Sequence, residues 1–131
     1  MNKNGEKWYT KSGDEIQAHG GMILKFNEKY YWYGEYKGAP NVENTTRVDF
    51  IGISCYESDN LIDWEYVGLV LQADCENKES YLHPSKVIER PKVLYNEKTK
   101  KFVMWFHYDT ADYLYGGLEL QYLIALKDHL N

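Results

Sequence analysis

Lys29-Tyr30-Tyr31-Trp32-Tyr33-Gly34-Glu35-Tyr36 is the stretch on which the fold turns. Read with a period of two, Tyr31, Tyr33 and Glu35 share one face of a strand, and Tyr30, Trp32 and Tyr36 share the other. Both faces are largely aromatic, so this strand is expected to be covered on both sides, as in stacked sheets. Residues 22–26 (Met-Ile-Leu-Lys-Phe) form the preceding strand, and Asn27-Glu28 a short hairpin turn without the preferred Asn-Gly pair. A polar segment with Gly38, Pro40 and Asn41 follows. Residues 48–57 then read as a third strand and, after the turn at 58–63, residues 65–71 as a fourth, which makes an antiparallel meander.

Part of this pattern returns. Lys92-Val93-Leu94-Tyr95 lies 70 residues after Met22-Ile23-Leu24-Lys25, and Lys101-Phe102-Val103-Met104-Trp105-Phe106-His107 lies 72 residues after the strand that begins at Lys29. A strand hairpin repeated at near-constant spacing is the mark of a repeat architecture, and four strands per unit points to β-propeller blades. A sandwich with two similar hairpins is the alternative. Pro91 lacks an N–H and is confined to a strand start or an edge. The tail from Leu118 mixes strand-like alternation with helix-forming composition; a strand over 118–124 is expected.

The 131 residues carry a net charge of −5, with 16% aromatic residues. A net negative chain without a Lys/Arg cluster lacks the counterion-release term behind nucleic-acid affinity, so no nucleic-acid partner is expected. No apolar run is long enough to cross a bilayer, so no membrane partner is expected either. Residues 1–7 have no apolar core of a secretory signal, which leaves the location unassigned. Cys55 and Cys75 lack metal-ligand or scaffold spacing and are read as free and buried. Asn44-Thr45-Thr46 fits a glycosylation sequon of little specificity.

The polar candidates fall at corresponding places in the two units. Glu35 ends the second strand of the first unit, and His107 with Asp109 ends that of the second. Gln17-Ala18-His19-Gly20-Gly21 and Ile88-Glu89-Arg90-Pro91 lead into the first strands. In a propeller these ends converge on one funnel. Carboxylates accept hydrogen bonds from hydroxyls, and aromatic faces cover the C–H face of a pyranose, so a sugar suits such a funnel. Each residue also has a plainer reading. His19 beside two glycines could cap a turn. Gly20-Gly21 fits a close backbone approach better than a phosphate cradle, since no Gly-Lys-Ser/Thr helix start follows. Glu89-Arg90 could be an ion pair, Asp109, Asp112 and Glu119 a solvated rim, and Trp8 and Tyr9 a seal on the first core. The four histidines have no compact ligand spacing, so no metal and no cofactor is expected, although His107-x-Asp109 could supply two ligands. No nucleophile elbow or activated cysteine is visible.

Ile16-Gln17-Ala18-His19-Gly20-Gly21, Tyr30-Tyr31-Trp32-Tyr33-Gly34-Glu35, Ser58-x-Asn60-Leu61-x-x-Trp64 and Glu89-Arg90-Pro91-Lys92-Val93-Leu94-Tyr95-Asn96 resemble, in this order, glycoside hydrolase family 43. The nearest likeness is to its exo-β-1,3-galactanase-like branch, over roughly residues 8–113. The resemblance implies an all-β fold of two antiparallel four-stranded blades, about 20–71 and about 89–126, corresponding to the first part of a five-bladed β-propeller. It also implies inverting hydrolysis of terminal β-1,3-galactose from a β-galactan or arabinogalactan oligosaccharide, by two carboxyl groups typically about 6.5–9.5 Å apart. By the same resemblance Glu35 and Glu89 are hydroxyl-binding carboxylates and Tyr113 a further sugar contact, with Gln17 and His19 beside them. Family members are often secreted. Many carry an Asp base before the first innermost strand; Gln17-Ala18-His19-Gly20-Gly21 has none, as is usual in the galactanase branch. The general acid belongs to later blades, so the expectation is a truncated enzyme without activity of its own. The alternatives are a carbohydrate-binding or self-assembling partial-propeller module, forming a homo-oligomer through open blade edges, and an inactive remnant.

Overall fold

The computed structural model describes residues 1–115 in full and residues 120–126 as backbone. Seven strands are present among the described residues: β1 (His19–Phe26), β2 (Lys29–Glu35), β3 (Gly52–Ser58), β4 (Glu65–Gln72), β5 (Val87–Asn96), β6 (Lys101–Asp109) and β7 (Leu120–Leu126). They form two antiparallel sheets, ordered β1-β2-β3-β4 and β5-β6-β7. Three of the four strands expected of the second unit are thus found among the described residues.

The repeated hairpins are β1–β2 and β5–β6. Asn27 and Glu28 close the first with φ of 48° and 65°, the left-handed pair that a two-residue turn needs even without glycine. The turn at 58–63 is built by side chains. Ser58 Oγ accepts the N–H groups of Asn60 and Leu61, and Asn60 Oδ1 accepts those of Ile62 and Asp63. This turn delivers Trp64, which is buried, so Ser-x-Asn-Leu-x-x-Trp is a folding motif.

The β2 alternation resolves into two cores. Tyr31 and Tyr33 join Phe50, Ile53 and Cys55 against Ile88, Val93, Phe102, Met104, Phe106 and Tyr108 of the second sheet. Tyr30 and Trp32 pack on the opposite face with Tyr56 and Trp64, covered by Trp8, Ile16 and Ala18. Each fully buried aromatic or aliphatic side chain contributes about 1.5–3 kcal/mol of transfer free energy, so the interface between the sheets dominates the fold. Phe26 meets Tyr95 and Phe102 at 4.8 Å between ring centroids, and Met22 Sδ accepts the Val93 N–H at 2.9 Å. These contacts set β1 beside β5.

Several details differ from the sequence expectation. The third strand starts at Gly52 and not at residue 48, because Val48 bridges to Asn41 and the Phe50 N–H donates to the Pro84 carbonyl. β5 starts at Val87 and runs through Pro91, made possible by its edge position and by a register shift between Glu89 and Lys92. The tail strand is described over Leu120–Leu126, two residues beyond the expected end at 124, and the expected start at 118 lies outside the described residues. Cys55 is buried as expected, whereas Cys75 is exposed on the polar loop after β4. Trp8 seals the second core, but Tyr9 remains 46% exposed. Glu119 lies outside the described residues.

Candidate functional site

Glu35 ends β2 on the inter-sheet face and is buried, with 6% of its surface accessible. Three features hold it. Lys37 Nζ pairs with Oε1 at 3.1 Å. The backbone N–H of Arg90 donates to Oε2 at 3.4 Å. Gly20 leaves room, since a Cβ there would fall 2.7 Å from Oε2. Gly21 and Gly34 allow the chain to close behind it: a Cβ on Gly21 would lie 1.6 Å from the Tyr33 carbonyl oxygen, and one on Gly34 would lie 2.2 Å from the Ala18 backbone. The glycine pair is therefore a close backbone approach, the plainer of its two readings.

Glu89 comes from the bulge of β5, paired in register with His107 of β6. Its Oε1 accepts the Tyr113 hydroxyl proton, and its Oε2 lies 3.5 Å from His107 Nδ1. These partners replace the ion pair considered for Glu89 and Arg90. Arg90 itself has φ of 54° and Tyr113 φ of 59°. Left-handed backbone at bulky residues stores strain, and such residues cluster at functional sites. Tyr113 is placed by a loop that two aspartates tie. Asp109 Oδ1 accepts the N–H groups of Thr110 and Tyr115, and Asp112 Oδ1 accepts the Thr110 hydroxyl and the Leu114 N–H. Burial, and then the hydrogen bond to Glu89, push the Tyr113 phenol up to about 12, so it stays a neutral donor.

Glu35, Glu89 and Tyr113 line one open cleft of about 370 Å³ between the sheets, together with Lys37, Arg47 and Lys86. Arg47 is anchored by Asp49 Oδ1 at 2.8 Å and the Pro84 carbonyl at 3.2 Å. The lining combines carboxylate acceptors, a phenol donor and three cationic side chains, of which Lys37 is paired to Glu35 and Arg47 to Asp49. Such a lining suits a polyhydroxylated ligand.

No family model matches the sequence, and no curated protein does so at a significant level. Solved structures do. An exo-β-1,3-galactanase from Clostridium thermocellum is 40% identical, with 95% of this chain and 24% of that chain covered and a TM-score of 0.74. An exo-β-1,3-galactanase from Phanerochaete chrysosporium, solved with galactose, is 33% identical over 95% of this chain and 26% of that one, with a TM-score of 0.79. A family 43 β-1,3-galactosidase solved with galactodeoxynojirimycin is 39% identical over 86% and 31%, with a TM-score of 0.70. The chain resembles family 43 β-1,3-galactanases and β-1,3-galactosidases. It spans about a quarter to a third of the length of these structures.

In this galactanase-like chain the sequence candidates divide. Glu35, Glu89 and Tyr113 meet in one cleft. Gln17 instead lines a neighbouring cleft with Tyr36, Tyr56 and Tyr66, its N–H donating to the Tyr56 hydroxyl. His19 is exposed, bonded to Gln17 at 2.9 Å and opposite Glu35 in the β1–β2 register. Lys37, Arg47 and Lys86 were missed as lining residues. Lys37, two positions beyond Glu35 on the polar side of the strand end, was the legible one.

Proposed function

We propose that this glycoside hydrolase-like chain forms the first two blades of a five-bladed propeller, at about 20–71 and 89–126, and supplies the terminal-galactose subsite of an inverting galactan 1,3-β-galactosidase. Glu35, Glu89 and Tyr113 hold the sugar hydroxyls, and Gln17 and His19 border the subsite. The observation that carries this reading is the meeting of Glu35 from one sheet and Glu89 from the other in a single cleft, within a chain that resembles galactanases solved with galactose and with β-1,3-galactotriose. A buried carboxylate and a partly exposed one, with a neutral phenol beside them, select neighbouring hydroxyls by accepting and donating in fixed directions.

By the family resemblance the leaving oxygen takes its proton from an acid in a later blade. The 131 residues then bind a β-galactan or arabinogalactan oligosaccharide and do not cleave it. Calorimetry with β-1,3-galactobiose, paired with an assay for released galactose, tests both halves. Millimolar binding without release is expected; release by the purified chain, abolished in Glu89→Ala, would refute the division of labour.

A second reading is a carbohydrate-binding module that self-assembles through its open blade faces and edges. Leu94 and Trp105, on the face of the second sheet turned away from the first, are 56% and 37% exposed, as suits an uncovered blade face. Light scattering separates a monomer from such a homo-oligomer.

A further inference from the structure

His107 stands between two carboxylates and is engaged by neither in a hydrogen bond. Its Nε2 lies 3.5 Å from Asp109 Oδ2 and its Nδ1 3.5 Å from Glu89 Oε2, yet Nδ1 is buried and makes no hydrogen bond. Asp109 is almost fully buried, and its other oxygen is committed to the backbone of Thr110 and Tyr115. It cannot turn away. Glu89 has its other oxygen on Tyr113, whose ring lies 6.3 Å from the imidazole. The four side chains form one line from the buried interior to the cleft, Asp109, His107, Glu89 and Tyr113.

A buried, unpaired ring nitrogen costs free energy and is retained where another requirement outweighs that cost. Polar contacts around a reacting or binding carboxylate are often long in an empty site and shorten when ligand is bound. We infer that His107 is a positioning residue for Glu89: braced by Asp109, its Nδ1 closes on Glu89 Oε2 when a sugar hydroxyl engages that carboxylate. This inference rests on the proposal that Glu89 is a sugar acceptor. It gives His107 a role that no sugar contact requires, and it explains why Asp109 is buried at the end of β6.

The test is the β-1,3-galactobiose affinity of the wild type and two His107 variants, with thermal melts and a crystal structure of the wild type bound to β-1,3-galactobiose. His107→Leu is expected to weaken binding at least about tenfold, and His107→Asn, which keeps a donor near the Nδ1 position, to stay within about threefold of the wild type. The loss in His107→Leu should come without a fall in melting temperature, because the unpaired ring nitrogen it removes is itself a cost, whereas a merely structural histidine would lower affinity and melting temperature together. The bound wild-type structure should show Nδ1 drawn from 3.5 Å to hydrogen-bond distance of Glu89 Oε2. Failure of the wild type to bind would refute the sugar-site proposal and this role with it, whereas a bound structure in which Nδ1 remains 3.5 Å from Glu89 Oε2 overturns the role of His107 alone. Equal affinity of the wild type and His107→Leu overturns it as well.

Discussion

The backbone N–H of Arg90, in the second sheet, donates to Glu35 Oε2, in the first, at 3.4 Å. The cleft is therefore assembled at the junction of the two sheets. Its geometry depends on the chain around Gly20, Gly21 and Gly34 approaching without side chains.

Gly21→Ala and Gly20→Ala separate the two needs. At Gly21 the new Cβ meets backbone at 1.6 Å, which cannot yield without moving β2, so a loss of more than about 3 kcal/mol in a urea titration is expected. At Gly20 the obstacle is the end of the Glu35 side chain at 2.7 Å, with φ of 59° adding strain. Gly20→Ala should cost only about 1–2 kcal/mol of stability while abolishing sugar binding. Equal stability losses in the two variants would contradict this geometry.

Ser54 is fully buried, and its hydroxyl bonds to the carbonyls of Gln17 and Gly34. Ser54→Ala strips the donor from that strap and should lower stability by about 1–3 kcal/mol. Wild-type stability in this variant would show that the strap is held by the glycine contacts alone.

Met104 and Leu94 test where the core lies. Met104 is fully buried between the sheets and Leu94 is 56% exposed. Met104→Ala should cost about 2–5 kcal/mol and Leu94→Ala less than about 0.5 kcal/mol in the same titration. A large loss at Leu94 would instead place that residue in an interface.

Alkaline pH should destabilise the protein. Burial pushes the Cys55 thiol up from 9.0 to about 12 and, with Glu89, the Tyr113 phenol from 10.0 to about 12. The fold therefore binds these protons more tightly than the unfolded chain does. The stability they contribute is complete below pH 9 and is lost as pH rises from there towards 12. Urea midpoints measured from pH 8 to 11 should fall from about pH 9, and Cys55→Ala should delay the fall to about pH 10. An alkaline limb that Cys55→Ala leaves unchanged would argue against a buried thiol.

The two hairpins were legible because aromatic alternation and a spacing of 70 to 72 residues are properties of local sequence. The start of β3 was not, because Val48 and Phe50 find their partners in Asn41 and Pro84, contacts that no period records. The beginning of β5 was hidden by Pro91, which reads as a boundary until the bulge beside it is seen. Of the site, the carboxylates and Tyr113 were visible through the family likeness. Arg47 was not, since it sits in an irregular polar loop and enters the cleft through its tie to Asp49 and Pro84.

Titration of the purified chain with β-1,3-galactobiose by calorimetry, in parallel for the wild type, Glu35→Ala and Glu89→Ala, tests the central claim most directly. A joint subsite predicts millimolar binding by the wild type and its loss in both variants, because each sheet contributes one of the two carboxylates. Undiminished binding in either variant, or none in the wild type, would contradict it.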